Sequence, residues 1–388
     1  MAATEPGANA DANAETCAAR APRHVPTLVL LAAGTLVATP ACADNYFGYQ
    51  ASRYVEAGQR IHVFSGDLSV EKDFGTDYTL HADMIYDGIS GATPSWVAKP
   101  GYANEFQAGL QKVDDEVRNA LSTTLAVRDA ARNEYTFGLA YSHESDFISR
   151  EISAQAQLWS DDSHDRSYTI GASIQDNTSL ATGFTNNTAN AGAHAVALQA
   201  GVNQVVDART TLEASVFYAG DSGFLSNQYL KIVRTDAVGE HYLAPDDRPD
   251  SRRGGGVAVR WIHSWSDALQ SNLWVRWYRD DWGITSGTAE AKAYWSIDDH
   301  WRLGPVLRVY HQSSADFYRA YGGNPNTFAS TGYGTDDARL GTLTAVTTQL
   351  NAEYRADANW TLNAGVSRYS NNAGLRAGWL TAGFIYRY

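Results

Sequence analysis

The chain has 388 residues, a formal net charge of −13 and only 19% charged residues. This negative balance, without a basic run interleaved with aromatic side chains, argues against a nucleic-acid partner, because such partners need positive surfaces. Aromatic residues reach 12% and there are 33 glycines, a composition typical of large closed β-sheets. Mean hydropathy is negative, which disfavours membrane-spanning helices.

The N-terminal residues carry the features of a secretory signal. Arg20 and Arg23 precede an apolar run, residues 25–37, and the small residues Ala41 and Ala43 follow it. The run has 13 residues, whereas a membrane-spanning helix needs about 20. Because a basic region, a short apolar run and an Ala-x-Ala site together make a cleavable signal, we expect cleavage after Ala43.

Cleavage there divides the chain into an extension with its signal peptide, residues 1–43, and one mature domain, residues 44–388. Cys17 and Cys42 both fall in the removed part, so the mature chain needs no disulfide and no cysteine-bound metal. Lipidation of Cys42 is the alternative. Residues 39–41, Thr-Pro-Ala, match poorly the Leu- and Val-rich sequence that precedes lipidated cysteines.

The mature domain shows apolar–polar alternation with a period of two, which predicts half-buried strands. The alternation is clearest in residues 78–87, 135–142, 211–218 and 360–367. The predicted strands are about 10 to 15 residues long, as a tilted membrane crossing requires, whereas soluble strands usually have about 5 or 6. Aromatic residues near strand ends, in residues 261–265 and 274–282, suit interfacial girdles.

Short polar connections alternate with longer connections or compact turns, as in outer-membrane barrels. The short ones lie near residues 73–77, 129–133, 161–165, 206–209, 266–269, 297–300 and 356–359, and the longer ones near residues 88–114, 177–192, 221–252 and 313–337. Counting segments from Tyr46 to Tyr388 predicts an all-β fold, a transmembrane antiparallel β-barrel of about 16 strands, with 14 to 18 as the range. An even number places both chain ends on the periplasmic side.

Polar residues on these strands are expected to face the lumen. His81, Asp83 and Asp87 share one strand face, and Glu116 and Arg118 share another. The full set of lumen-facing candidates is His81, Asp83, Asp87, Glu116, Arg118, Arg276, Asp280, Arg308, Tyr310 and Gln312. Arginines opposite carboxylates inside a barrel set up a transverse field that selects solutes. Ion pairs that stiffen the wall are the alternative, and one residue can serve both roles.

A histidine beside carboxylates also permits a hydrolase site in which the pair activates water. We favour a hydrated lumen wall for His81 and its neighbours, because the sequence lacks a convincing nucleophile-elbow motif. It also lacks Walker, Rossmann and zinc signatures. We therefore expect no enzymatic activity, no cofactor and no metal.

Acidic residues in the longer connections suggest a second kind of contact. Asp246, Asp247, Asp250, Asp336 and Asp337 all lie in predicted outer loops. Carboxylates there would bridge lipopolysaccharide through divalent ions, since such ions take oxygen ligands. Ordinary loop polarity is the simpler interpretation.

The last strand, residues 374–388, has the clearest pattern. Phe384, Tyr386 and Tyr388 place three aromatic rings on one face, and the chain stops on the last of them. Bacterial outer-membrane barrels typically end in this way. We interpret these three residues as the signal read by the barrel assembly machinery.

Four stretches share their order and spacing with a known family. They are residues 87–94 (DGISGATP), 116–118 (EVR) followed by 141–147 (YSHESDF), 277–286 (WYRDDWGITS) and 308–318 (RVYHQSSADFY). In these stretches the chain resembles an uncharacterised Gram-negative family, domain of unknown function 3570. The resemblance implies an outer-membrane barrel without an established activity, encoded near thioredoxin-like and flavin-transferase proteins.

The sequence thus predicts a porin-like channel or transporter for a small solute, located in the bacterial outer membrane. Two alternatives stay open: a non-conducting accessory or assembly barrel that serves a neighbouring redox or cofactor-maturation system, and an outer-membrane hydrolase. The expected partners are outer-membrane lipid, lipopolysaccharide, the barrel assembly machinery and the solute.

Overall fold

The computed structural model describes residues 45–388 apart from 59, 103, 182–188 and 321–326. The predicted signal peptide, its cleavage site after Ala43 and both cysteines lie outside the described residues. Within the described part, no helix has the length and apolar character needed to cross a bilayer.

Sixteen antiparallel strands close into one barrel, which confirms the predicted fold. They are β1 (Tyr46–Glu56), β2 (Ile61–Phe74), β3 (Tyr78–Ala98), β4 (Phe106–Arg128), β5 (Glu134–His143), β6 (Phe147–Trp159), β7 (Arg166–Ser179), β8 (Ala191–Asp207), β9 (Thr210–Gly223), β12 (Ser251–Ser266), β13 (Leu269–Asp280), β14 (Thr285–Ser296), β15 (Trp301–Gln312), β17 (Leu343–Arg355), β18 (Trp360–Asn371) and β19 (Arg376–Arg387). The remaining elements lie in connections: β10 (Lys231–Thr235), β11 (His241–Pro245), β16 (Phe328–Ala329) and the 3₁₀ helix η1 (Ala338–Leu340).

Each barrel strand pairs with its neighbours along the chain, and β1 closes the ring by pairing with β19. Tyr46 lies opposite Arg387, and the amide of Tyr388 donates to the carbonyl of Asn45 over 3.1 Å. Both described ends therefore meet at one rim, which we call the terminal rim. The predicted short connections all lie on this rim. The longer connections predicted after β7, β9 and β15 start and end on the opposite rim, the loop rim.

The barrel is apolar outside and polar inside. On β13, Leu273, Val275 and Trp277 are 45%, 52% and 48% exposed, whereas Asn272, which precedes Leu273 and has the opposite parity, is buried. Some polar side chains bond across an intervening strand: the β8 residue Gln199 donates to Gln155 of β6 over 2.9 Å, a contact available only on the concave face. An apolar exterior around a polar interior is the pattern of a barrel built for lipid.

Exposed aromatic side chains form a belt near each rim. The terminal-rim belt includes Phe47, Tyr78, Tyr168, Trp265, Trp295, Trp301 and Trp360, and the loop-rim belt includes Tyr86, Tyr141, Tyr218 and Trp277. The placement predicted for residues 274–282 is wrong in part. Trp274 alternates with outward Leu273 and Val275 and so points inward, and Trp282 is buried among loop residues.

The long connection predicted near residues 88–114 is also wrong. β3 and β4 instead continue past the ring as a paired hairpin that ends at Ala98 opposite Phe106. The ladder is irregular between Ile89 and Gly91, and Gly91 has φ +143°, where a Cβ would lie 2.0 Å from a backbone oxygen. The glycines here therefore mark an irregularity within a strand, not a loop.

Two connections on the loop rim fold together. The loop layer consists of residues 224–250, between β9 and β12, and of residues 313–342, between β15 and β17, as far as they are described. β10 pairs with β11 and, in parallel, with β16 of the other connection. An apolar cluster beneath them contains Trp282, Ile284, Ala315 and Leu340. The layer thus shares an apolar core with the β13–β14 turn.

The loop layer crosses the mouth of the barrel. β9 and β12 are ninth and tenth around the ring, and β15 and β17 are thirteenth and fourteenth. Their connections meet where Arg248 pairs with Asp337 at 2.8 Å. The layer also reaches the third to sixth strands, because the Trp96 indole bonds to Asp336 and the Tyr229 hydroxyl bonds to Asp146. Contacts between such separated sectors require that the chain passes over the lumen.

Candidate functional site

The inner wall on β3 and β4 contains five of the lumen-facing candidates. Asp83 and Asp87 are 1% and 7% exposed, and His81 lies in line with them on the same strand face. Arg118 of β4 reaches across the ladder to Asp87, with Nη2 2.5 Å from Oδ2. Asp87 and Arg118 therefore form an ion pair within the wall.

His81 is enclosed by acidic groups. Its Nε2 lies 2.9 Å from Oδ2 of Asp83, and its Nδ1 lies 3.5 Å from Oε2 of Glu71 and 3.4 Å from the Tyr46 hydroxyl. Both ring nitrogens thus face oxygen atoms, and neither is left to accept a proton from a serine hydroxyl, as a nucleophile would require. Ser122 Oγ lies 3.5 Å from Oδ2 of Asp83, so its contact is with the carboxylate. This geometry supports a wall-building role for the histidine.

Glu116 lies apart from these groups. It accepts hydrogen bonds from the backbone amide of Ser145, at 3.1 Å, and from the Ser145 hydroxyl. These bonds tie β4 to the turn between β5 and β6. Glu116 therefore belongs to the loop rim, close to Glu144 and Asp146.

The opposite wall contains the other five candidates, since β13 and β15 are eleventh and thirteenth around the ring. Arg276 stacks over Phe217, with its guanidinium carbon 4.3 Å from the ring centroid. Arg308 lies opposite Glu290 of β14 in the ladder. The structure therefore does not bring Arg276 and Arg308 together with His81, and the two groups face each other across the lumen.

Asp280, Tyr310 and Gln312 serve the loop rim. Asp280 Oδ2 accepts from Arg252 at 2.6 Å, and Oδ1 accepts the backbone amides that close the β13–β14 turn. Tyr310 donates to Gln312 over 2.5 Å. The Gln312 amide then donates to two carbonyl oxygens of the loop layer, each at 2.8 Å. These three side chains hold loops in place at the end of the wall.

The two walls differ in charge. The inner faces of β2 and β3 carry Asp67, Glu71, Asp83 and Asp87. The inner faces of β12 to β15 carry mainly basic groups, Arg260, Arg276, Lys292, Arg302 and Arg308, beside the acids Asp280 and Glu290. Local pairs also occur, such as Arg260 with Glu213 at 3.4 Å and Lys292 with Glu290 at 3.2 Å. The ion pairs considered from the sequence are thus present, and a transverse field that selects solutes stays a prediction.

Three of the five loop-layer acids are buried, whereas Asp250 is exposed and Asp247 is partly exposed. A bridge to lipopolysaccharide stays a prediction for the last two. Asp246, Asp336 and Asp337 are 4%, 8% and 6% exposed. Arg248 bonds both Asp246 at 2.7 Å and Asp337 at 2.8 Å, and Arg339 chelates Asp337. Sequence reasoning missed this because the pairing depends on two connections meeting across the mouth.

Burial has opposite outcomes for two neighbouring carboxyls. Burial raises the pKa of Asp336 to about 7. The nearby carboxyls of Asp246 and Asp337 also raise this pKa, whereas a hydrogen bond from Trp96 lowers it. Burial also acts on Asp337, but the guanidiniums of Arg339 and Arg248 outweigh it and hold the pKa of that carboxyl well below its usual range. The layer therefore contains one fixed anion and one group that changes charge near neutrality.

A cavity of about 370 Å³ opens in the loop layer. It lies between the end of β9, the β10–β11 hairpin and the segment leading to β12, with Phe224, Leu225 and Pro245 beside Arg234 and Arg248. This volume lies at the lower end of the range of small-molecule sites. No sequence motif marks it, since its walls come from three separate segments.

The aromatic end of the chain lies on the outer face at the terminal rim. Phe384 packs against Phe47 and Trp360, with ring centroids 6.0 and 5.5 Å apart, and Tyr386 packs against Trp360 at 4.9 Å. These contacts join the last strand to both neighbours at the closing seam. The role of Phe384, Tyr386 and Tyr388 as an assembly signal stays a prediction.

Several solved structures resemble this barrel. CdiB from Acinetobacter baumannii has a TM-score of 0.50 at 8% identity, over 89% of this chain and 61% of that chain. The siderophore receptor PirA from Pseudomonas aeruginosa has a TM-score of 0.43 at 10% identity, over 89% of this chain and 62% of that chain. A bacterial polysaccharide outer membrane secretin has a TM-score of 0.48 at 9% identity, over 89% of this chain and 98% of that chain.

This chain spans about three fifths of the length of CdiB and PirA. The likeness to CdiB supports the barrel fold alone. No curated protein matches the sequence significantly. A family model described as "Protein of unknown function (DUF3570)" matches residues 24–383, nearly the whole chain. The resemblance predicted from the four sequence stretches is thereby confirmed, and the chain belongs to the DUF3570 family.

Proposed function

We propose that this chain is an outer-membrane protein that passes a small polar solute through a barrel whose outer mouth is covered by the loop layer. The observation that carries the proposal is the charged inner wall beneath a folded cover. A sixteen-stranded barrel of the porin kind has room for an aqueous path. A cover over that path suits selective passage better than free diffusion.

The outer face supports a place in the outer membrane. Beyond the loop-rim aromatic belt, outward and exposed positions carry Arg53, His143, Arg150, His194, Arg253, Arg279, His311, Arg368 and Arg376. We call this set the basic collar. Asp176 lies within it and pairs with Arg150 and His194. Guanidiniums bind phosphate oxygens well, so the collar suits the phosphates of lipopolysaccharide and favours an orientation with the loop rim outside the cell.

In this orientation both described chain ends lie at the periplasmic rim, as expected for an exported barrel with an even number of strands. Cleavage after Ala43 is part of this proposal. Mass spectrometry of the native protein is expected to find Asp44 as its first residue. A retained or lipid-modified Cys42 would contradict the cleavage site.

The charges indicate the class of solute. Carboxylates on β2 and β3 face basic groups on β12 to β15, so a solute that carries both charges is oriented as it passes. The cavity in the loop layer mixes Arg234 and Asp247, 2.9 Å apart, with apolar side chains. Such a site suits first capture of a small amphipathic or zwitterionic solute.

Planar-bilayer conductance tests the proposal. Lys231 and Pro245 are ladder partners, so residues 232–244 can be replaced by a two-residue glycine linker without stretching the chain. We expect higher single-channel conductance from this variant than from the wild type, because the cover loses its sheet. The control is Val238→Ser at the hairpin tip, where the side chain is 83% exposed, and it should match the wild type.

Equal conductance of the deletion variant and the wild type would show that the loop layer does not restrict the path. The absence of conductance from every form would contradict solute passage and favour the accessory barrel that serves a redox or maturation system. Hydrolysis of lipid or peptide substrates by the purified barrel would instead favour the hydrolase.

A further inference from the structure

Three carboxylates converge where the loop rim meets the loop layer. Glu116 comes from β4, and Glu144 and Asp146 come from the turn between β5 and β6. One oxygen from each lies within 4.8 Å of the others. The turn is closed by a 2.7 Å bond from the amide of Glu144 to the carbonyl of Phe147. Ser145 secures Glu116 beside it.

Two buried oxygen atoms at this place lack hydrogen-bond donors among the described residues. Glu144 is 6% exposed, and no described residue donates a hydrogen bond to its carboxylate. Asp146 and Gln228 are 3% and 6% exposed, and Oδ1 of Asp146 and Oε1 of Gln228 have no partner among the described residues. Buried oxygens are rarely left without a partner, because each then loses its hydrogen bonds to water and gains none in the protein. Their number at one place points to a missing cation.

The surrounding groups do not neutralise the cluster. Arg118 lies near Glu144, but its guanidinium bonds Asp87 at 2.5 Å. Gln228 and Tyr229 approach Asp146 only through an amide, at 2.5 Å, and a hydroxyl. Within the described part of the chain, the three acids share one nearby arginine with Asp87.

We propose that Glu116, Glu144 and Asp146 bind a calcium ion, with Oε1 of Gln228 as a further ligand. Calcium takes six to eight oxygen ligands in flexible geometry, whereas magnesium demands a stricter octahedron and keeps its waters. An all-oxygen set from three segments fits the first ion better. Gln228 and Tyr229 belong to the loop layer, so the ion clamps that layer to the β5–β6 turn. This role does not depend on the solute or on conductance.

Calorimetric titration of the refolded, chelator-washed barrel with Ca²⁺ tests the site. We expect one saturable site in the wild type and affinity weaker by about tenfold or more in Glu144→Gln. The matched control is Glu151→Gln, which removes another buried carboxylate, on β6 and bonded to Ser173 instead of the cluster. Its affinity for calcium should equal that of the wild type.

Thermal unfolding separates a metal ligand from a residue that merely supports the fold. With chelator, Glu144→Gln should be at least as stable as the wild type, because one buried negative charge is gone. With Ca²⁺, the wild type and Glu151→Gln should gain stability and Glu144→Gln should gain little. No binding by the wild type, unchanged affinity in Glu144→Gln, or equal calcium stabilisation of both would overturn the proposal.

Discussion

The barrel wall and the loop layer place their charged residues by different means. In the wall, Arg276 points inward because Val275 and Trp277 on either side point outward, and neighbouring strands repeat this rule around the ring. In the loop layer, Asp337 is buried because Arg248 and Arg339, from two connections, enclose it. The comparison teaches that period-two alternation decides environment within a regular sheet, and that packing between distant segments decides it outside one.

The largest expected effect concerns closure of the wall. Deleting residues 384–388 removes Phe384 and Tyr386 from the seam with β1 and β18. An unclosed sheet edge has unpaired backbone groups that lipid cannot satisfy, so we expect almost complete loss of assembled protein. Heat-modifiable migration on gels and outer-membrane abundance measure this.

A matched deletion of residues 236–239, at the tip of the β10–β11 hairpin, should leave assembly intact. Normal membrane levels of the chain lacking residues 384–388 would refute the role assigned to its end.

The next effect breaks the loop layer and spares the wall. Arg248→Met leaves Asp246 and Asp337 buried without their shared cation, and breaking a buried pair in this way costs about 3–5 kcal/mol. We expect rapid proteolysis of the layer while the barrel keeps its heat-modifiable migration. Arg253→Met, at an exposed outward position on β12, is the control. Equal protease resistance of the two variants would show that the layer does not depend on this pair.

A smaller effect tests the polarity of the wall. Arg276→Ala and Arg308→Ala should leave folding largely intact and move selectivity toward cations, because the remaining wall is more negative. Reversal potential in a salt gradient measures the change, with outward Arg279→Ala as the control. A conducting barrel with unchanged selectivity in both variants would leave these arginines a structural role only.

The smallest effect is a pH dependence of the loop layer. Asp336 has a pKa raised to about 7 by burial, so its neutral form is favoured in the folded layer. Its stabilising contribution is fully present below the ordinary value of 3.8 and is lost as the pH rises through about 7. The pKa of Asp337 is lowered instead. Its stabilising contribution is therefore present above the ordinary value of 3.8 and is lost as the pH falls below that value.

We therefore expect faster proteolysis of the layer at pH 8 than at pH 5, measured with calcium present so that Glu144 contributes little. Asp336→Asn should reduce this difference. An identical pH profile in the variant would assign the dependence to other groups, of which Asp246, whose pKa is also raised, is the first to examine.

Much of the wall was predictable. Residues 78–87 and 360–367 alternate in sequence and form β3 and β18, because a strand sends successive side chains to opposite faces. The hairpin beyond Gly91 was not, since glycine and proline signals are shared by turns and by strand irregularities. The buried position of Trp282 depends on Leu340, nearly sixty residues away, and local patterns carry no information about such contacts.

The sequence by itself determined which face each wall residue takes, the number of strands and the aromatic residues that end the last strand. Those properties follow from backbone geometry and from the cost of exposing polar groups to lipid. Only the tertiary structure decided that Glu116 lies beside Glu144 and Asp146, and that Arg248 meets Asp337. These groups lie on different strands and connections, and closing the ring is what brings them within reach of one another.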